Sequence, residues 1–377
     1  MHCKHFGVCG GCTLPGVPYT EQLAKKRKDL SRLLGMDVPP LIPSPSESGF
    51  RSKVSFVFAN AVMGHYALNS QRVIPIDECP VHHDRGNRIA FGIESVFGRF
   101  ARSGGPGSIR ALLRHIIIRT TQDGREATAM LVVARNDKAL RAPVRKFLAS
   151  KEKPDGFFVN IHPKPGPYMV GDETIKIEGR SHVKEVVAGM SYLVSPTAFF
   201  QTNVGAATEL VKLVLEEIGS PRRVLDLYCG SGLFSLQIAR AGAAVTAVEE
   251  NRQAIADAEA NVRLNRIPPG QIRFMAVRVE DALASVARDS WDAVVLDPPR
   301  QGCPAVVLSA VFEQIRPARV VYVSCNPDAL AAELPVILKT GYRVTRVQPL
   351  DMFPHTEHIE TVMAFERPPT AQKARIT

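Results

Sequence analysis

VLDLYCGSGLFSL, residues 224–236, reads as an apolar strand, a glycine turn and the start of a helix in immediate succession. The strand carries Asp226 near its end, and Gly230 and Gly232 flank the turn. Glycine there lets backbone approach a ligand closely, and in parallel α/β sheets ligands sit outside the carboxyl ends of the strands. The turn lacks the third glycine of a dinucleotide fingerprint, and Asp226 would repel a pyrophosphate. A carboxylate suits a cationic amino-acid moiety instead, which favours S-adenosylmethionine over NAD. On the next strand AVEE ends in Glu249, placed to accept hydrogen bonds from ribose hydroxyls.

Outward from this turn, the pattern after Ser195 alternates apolar strands with helical stretches. Strands are expected at 224–227, 244–248, 273–276, 293–296, 319–323, 342–348 and 360–365, as in a Rossmann-like α/β domain. Before it, from Arg51 to about Val187, short β-rich runs such as KVSFVFA, RHIIIRTT and ATAMLVVA alternate with turn residues, with a helical piece over 139–150. That predicts a mainly β N-terminal domain. Residues 19–34 read as an amphipathic helix closed by Gly35, followed by a Pro/Ser linker over 39–48. Two domains are expected, 1–190 and 191–377.

The 377 residues carry a net charge of +10. Residues 1–190 hold 28 Lys+Arg against 17 Asp+Glu, and residues 191–377 hold 19 against 20, so the surplus lies in the first part. A localised basic excess implies a polyanionic partner. No apolar run is long enough to cross a bilayer and MHCKHFGVCGGC lacks the order of a signal peptide, so a cytoplasmic protein with no membrane partner is expected. Seven cysteines, an odd number, argue against a disulfide framework.

Ser324-Cys325-Asn326-Pro327 follows the strand RVVYV, which puts the Cys325 thiol at the rim of the same cleft as Asp297-Pro298-Pro299-Arg300. A thiolate there suits one problem in particular. C5 of uracil is too weak a nucleophile to take a methyl group from a sulfonium, but thiolate addition at C6 makes it an enolate-like carbon. A base must then remove the C5 proton so that the thiolate can leave. Glu360, entering the last strand from DMFPHTEHIE, is the expected base, with His355 and His358 orienting that loop. SPTAFFQTN marks the junction of the two halves, and its Gln201 is either plain core or a pocket residue.

FFQTN, DLYCGSG, VLDPPR, VSCNP and DMFPHTEHIE, in this order, resemble the RNA 5-methyluridine methyltransferase family of bacteria and archaea. The resemblance implies Cys325 as nucleophile, Glu360 as general base, and Gln201, Tyr228, Glu249 and Asp297 lining the cofactor or uracil pocket, with Asp226, Gly230 and Gly232 in the cofactor turn. Leu233 stands where some members have a cofactor-contacting Asn, so that contact is not carried over. The resemblance also gives Cys3, Cys9, Cys12 and the distant Cys79 a role as ligands of a [4Fe-4S] cluster that shapes the basic half for RNA. Zinc held by the same thiols is the rival. The substrate implied is 23S ribosomal RNA and the protein a monomer. An extra N-terminal RNA-binding barrel, frequent in 23S rRNA enzymes, is not expected before Cys3. The alternatives are a tRNA uridine-C5 methyltransferase, an RNA cytosine-C5 methyltransferase drawing on Cys303, and a noncatalytic iron-sulfur RNA-binding protein.

Overall fold

The computed structural model describes residues 2–14, 16–103, 108–164 and 169–368. The chain divides into two compact units: Met1–Gln22, Ser44–Ala207 and Phe353–Glu357 make the first, and Leu23–Pro43, Thr208–Met352 and His358–Thr377 the second. A single cut at 190/191 does not describe this division. Residues just after 190 form a strand paired within the first unit, and Leu30, Leu34, Val38 and Leu41 belong to the core of the second.

In chain order the first elements are helix α1 (Tyr19–Leu34), strands β1 (Lys53–Ala59), β2 (Val62–Tyr66) and β3 (Val73–Pro75), and helices α2 (Asp84–Ile93) and α3 (Arg99–Arg102). Then come β4 (Leu113–Thr120), β5 (Ala127–Val133), α4 (Arg141–Leu148), β6 (Gly156–Ile161), β7 (Glu173–Gly179), β8 (Val183–Val187) and β9 (Met190–Val194). The first unit is built on a seven-stranded sheet ordered β3-β2-β1-β4-β5-β6-β7. Its neighbours run antiparallel except β5 and β6, which α4 connects as a parallel pair. β1 alternates strictly, burying Val54, Phe56 and Phe58, as a strand covered on one face should. Ile89, Ile93, Phe97 and Phe147 pack from the helices onto that face. The helical run from Asp84 to Arg102 makes this unit a sheet with a helix layer rather than mainly β. Its sequence hides the helix behind Gly86, Gly92 and Gly98. The glycines are there for close approach, since a Cβ on Gly86 would come within 2.7 Å of Val54 and one on Gly92 within 2.8 Å of Glu152.

The remaining elements are α5 (Val204–Ile218), β10 (Arg223–Leu227), α6 (Leu233–Arg240), β11 (Ala244–Val248), α7 (Arg252–Leu264), β12 (Ile272–Met275), α8 (Val279–Val286) and β13 (Ala293–Leu296). They end with α9 (Ala305–Ser309), β14 (Arg319–Ser324), α10 (Pro327–Lys339), β15 (Arg343–Leu350) and β16 (Glu360–Glu366). The sheet of the second unit runs β12-β11-β10-β13-β14-β16-β15. β10 to β14 are parallel, and β16 lies antiparallel between β14 and β15. β13 is buried throughout and β10 after its first residue, which is the mark of a sheet covered on both faces. Strand order reverses between β10 and β13, and an open α/β sheet binds its ligand at the carboxyl ends beside such a switch point. Lys26 on α1 is buried against Asp351 at 2.7 Å, so this cation is not part of any RNA-facing surface.

Candidate active site

β10 carries the fully buried Asp226 one residue before its end, and the chain then turns through three residues with positive φ: Tyr228 (67°), Gly230 (53°) and Gly232 (84°). A tyrosine in the left-handed region is uncommon and costs energy. The Tyr228 and Cys229 amides both donate to the Val248 carbonyl, at 2.9 and 3.1 Å, which ties the turn to β11. A Cβ on Gly232 would strike the Leu236 side chain, whereas one on Gly230 would project into open space. The Glu249 carboxylate accepts from the Gly230 amide at 3.1 Å and the Asn251 amide at 2.8 Å.

Asp226 accepts a short bond from the Ser235 hydroxyl, but its Oδ1 has no partner, and neither has Ser231 Oγ in the same turn. Unsatisfied buried acceptors are rare and point to a missing partner. Burial pushes the Asp226 carboxyl up to about 7 against the downward pull of Ser235. Asp297 is likewise pushed up to about 7, by burial first and then by Asp226 and Glu249. Asp226, Glu249 and Asp297 thus lie close enough to repel one another, a repulsion that a cation would relieve.

The nucleophile and base expected from the sequence meet through strand register. Ser324, the last residue of β14, pairs with Thr361 of β16, so the next antiparallel step sets Cys325 opposite Glu360. Their electrostatic coupling agrees: the Cys325 thiol is pushed up to about 11 by burial, then by Glu360 and Asp297, with Arg300 opposing. Glu360, 2% exposed, is held well above the usual carboxyl range by burial and by Asp297, again opposed by Arg300. Two side-chain contacts fix the loops. Asn326 Nδ2 donates to the Arg300 carbonyl at 2.8 Å, and the Arg300 guanidinium lies 2.8 Å from His358 Nδ1. The sequence reading gave no role to Arg300 as a cation between thiol and carboxyl, or to Ser235. Its only signal for Arg300 was the place in DPPR.

Gln201 is a buried residue of the first unit. Beside it Phe200 packs at 5.5 Å from Tyr192, while Phe199 is 64% exposed. The His355 amide donates to Gln22 Oε1 at 2.8 Å, and its ring sets Nε2 2.9 Å from the Glu47 carbonyl, an orienting role.

Cys3, Cys9, Cys12 and Cys79 all line one cavity of about 320 Å³ in the first unit, with Arg51, His65 and His82. Burial raises the thiols of Cys9, Cys12 (to about 11) and Cys79 (to about 12), and Arg51 pulls each back. Among the described residues, the group of three His, Cys, Asp or Glu ligand atoms close enough to hold a metal ion is His65, Cys79 and His82, within 4.8 Å of one another, rather than three of these sulfurs.

Residues 172–368 match the model of the tRNA (uracil-5-)-methyltransferase family. An uncharacterized RNA methyltransferase of Geobacter sulfurreducens is 32% identical over 96% of this chain and 76% of its own length. One from Thermosynechococcus vestitus is 33% identical over 96% of this chain and 83% of its own. The crystal structure of Pyrococcus abyssi tRNA (uracil-54, C5)-methyltransferase, in complex with S-adenosyl-L-homocysteine, is similar with a TM-score of 0.78 and 27% identity, covering 95% of this chain and 86% of that one.

Proposed function

The chain belongs to the tRNA (uracil-5-)-methyltransferase family, and on that premise we propose that it methylates C5 of a uridine in RNA through a covalent Cys325–C6 adduct, with Glu360 as general base. It is an S-adenosylmethionine-dependent RNA methyltransferase. The observation that carries the residue roles is the β14/β16 register, which brings Cys325 and Glu360 together beside the carboxylates of the β10 turn.

The fit to S-adenosylmethionine rests on the unpartnered Asp226 oxygen and the open space before Gly230. Asp226 would hold the cationic amino-acid end, Glu249 the ribose, and Asp297 and Tyr228 the pocket wall; the role of Gln201 rests on the family resemblance alone. When bound, the cofactor supplies a methyl group on a sulfonium. The partly exposed Cys325 thiol gives its proton to solvent water, a step Arg300 eases, and its thiolate forms a bond to C6 while the ring electrons move toward C5 and O4. The enolate-like C5 would accept the methyl group that the sulfonium supplies, the sulfur retaining the electron pair of that bond as a neutral thioether. Glu360 then accepts the C5 proton, the C5–C6 double bond returns, and Cys325 leaves as thiolate. Burial makes the Glu360 carboxylate a stronger base than one in water. Cys303, buried and pushed up to about 12, is a poor second nucleophile, which weighs against cytosine-C5 chemistry.

For the first unit the reading is a [4Fe-4S] cluster on Cys3, Cys9, Cys12 and Cys79. The four thiols line one cavity, and the close-set ligand group that suits a single ion is His65, Cys79 and His82 rather than these four sulfurs, which favours a cluster over zinc for them. Arg51 supplies a cation beside that anionic group. The substrate we propose is 23S ribosomal RNA. Likeness to the Pyrococcus enzyme over nearly the whole chain favours tRNA as the second reading. Mapping 5-methyluridine by mass spectrometry in a strain lacking the protein decides: loss of one site in 23S RNA supports the proposal, loss in tRNA the second reading, and loss in neither contradicts both.

A further inference from the structure

We propose that His65, Cys79 and His82 form a site for a single divalent ion of the zinc class, one that excludes the four-thiol arrangement because both use Cys79. The three ligand atoms lie within 4.8 Å of one another. Bonds of ~2.0–2.3 Å to a tetrahedral ion need separations of ~3.3–3.8 Å, so a side-chain adjustment of about an ångström closes the site. His82 is only 4% exposed, and its Nδ1 makes no hydrogen bond of ordinary geometry, Asn87 contributing only a weak one, which leaves a buried ring nitrogen open to a ligand.

The surroundings hold these groups in place. The His65 ring stacks on Phe56 at 4.6 Å, and the His82 ring meets the same phenyl edge-on at 5.3 Å. The Cys79–His82 turn is closed by bonds to the Cys79 carbonyl from the His82 amide at 3.1 Å and from Asn87 Nδ2 at 2.9 Å. The two-residue gap between Cys79 and His82 is the spacing by which short metal-binding turns bring two ligands to one ion. Two imidazoles and one thiolate select zinc or cobalt over magnesium or calcium, which prefer oxygen. The nearby Arg51 cation opposes a dication held by one thiolate and favours an anionic cluster held by four. The ion therefore occupies the triad when the cluster is absent and, by holding Cys79, blocks its rebuilding. The ion site stands on its own; the competition rests on the iron-sulfur reading.

Full-length protein, stripped of iron by chelation and reduced, is titrated with Co²⁺ under argon. The expected spectrum is that of a tetrahedral ion with weak single-thiolate charge transfer, retained in Cys9→Ser/Cys12→Ser and lost in His65→Gln/His82→Gln, with circular dichroism showing both folded. Zinc added first should suppress the return of iron-sulfide absorbance on reconstitution. If the double histidine variant does not fold, His65→Gln at its half-buried position makes the same test. Cobalt absorption that needs Cys9 and Cys12 and ignores the histidines, or no binding by folded wild-type chain, overturns the site. Iron and sulfide analysis of anaerobically purified protein is the separate arm. Cobalt on the triad in a protein that never holds iron or sulfide sinks the cluster reading and leaves the ion site standing.

Discussion

Asp226 keeps one oxygen on Ser235 and offers the other to no protein group, so its charge is costly until a cation arrives. Its folded-state affinity for a proton is raised, to about 7, above that of the unfolded chain. The native state therefore binds more protons than the unfolded state between roughly pH 4 and 7, and this residue's contribution to stability falls as pH rises through that window. Asp226→Asn should stabilise the cofactor-free protein at pH 8 by up to a few kcal/mol, because each tenfold change in proton affinity is worth about 1.4 kcal/mol, and gain little at pH 4. It should also remove the thermal stabilisation that S-adenosylmethionine gives wild type. Calorimetry checks both, and a preserved stabilisation would take Asp226 out of the binding site. Asp226 and Cys325 were legible because each sits at a strand end followed by a turn. His65 was not, because it is one more residue in a short strand and only the fold brings it to Cys79 and His82.

At the scale of elements, the β10 turn separates two duties between its glycines. Gly232→Ala sets a Cβ against Leu236 at a φ of 84°, so it should destabilise the fold by ~1–3 kcal/mol. Gly230→Ala meets no atom of the protein and should cost about 1–2 kcal/mol of backbone strain while lowering cofactor affinity further, because the methyl group fills the approach to the turn. Urea unfolding and calorimetric titration of the cofactor measure the two effects. Equal losses of affinity at equal losses of stability in the two variants would contradict this division. The strands of the second unit were readable to within a few residues because each is an apolar run bounded by turn residues. The helix at Asp84–Ile93 escaped because its glycines, chosen for close packing against Val54 and Glu152, look like breaks in the pattern.

For the whole molecule, the early basic surplus does not map onto one unit, since Lys25, Lys26 and Arg27 lie in the part of α1 that belongs with the second. Lys26 is buried in an ion pair with Asp351, which composition could not reveal. Charge reversal at Lys25, Arg27, Arg110 and Arg114 should weaken RNA binding and flatten its salt dependence, by ~0.7–0.9 in slope for each phosphate no longer neutralised. Filter binding over a salt series checks this, and an unchanged slope removes these residues from the RNA surface. The proposed chemistry turns on the division of labour between Cys325 and Glu360. Without its base the enzyme can still add to C6 and transfer the methyl group, but the C5 proton stays and the thiolate cannot leave. The most direct test incubates RNA and labelled S-adenosylmethionine with Glu360→Gln and Cys325→Ala and runs denaturing gels. A methylated RNA–protein adduct through Cys325 is expected in Glu360→Gln and none in Cys325→Ala. Full turnover by Glu360→Gln, or an adduct in Cys325→Ala, would contradict this division of labour.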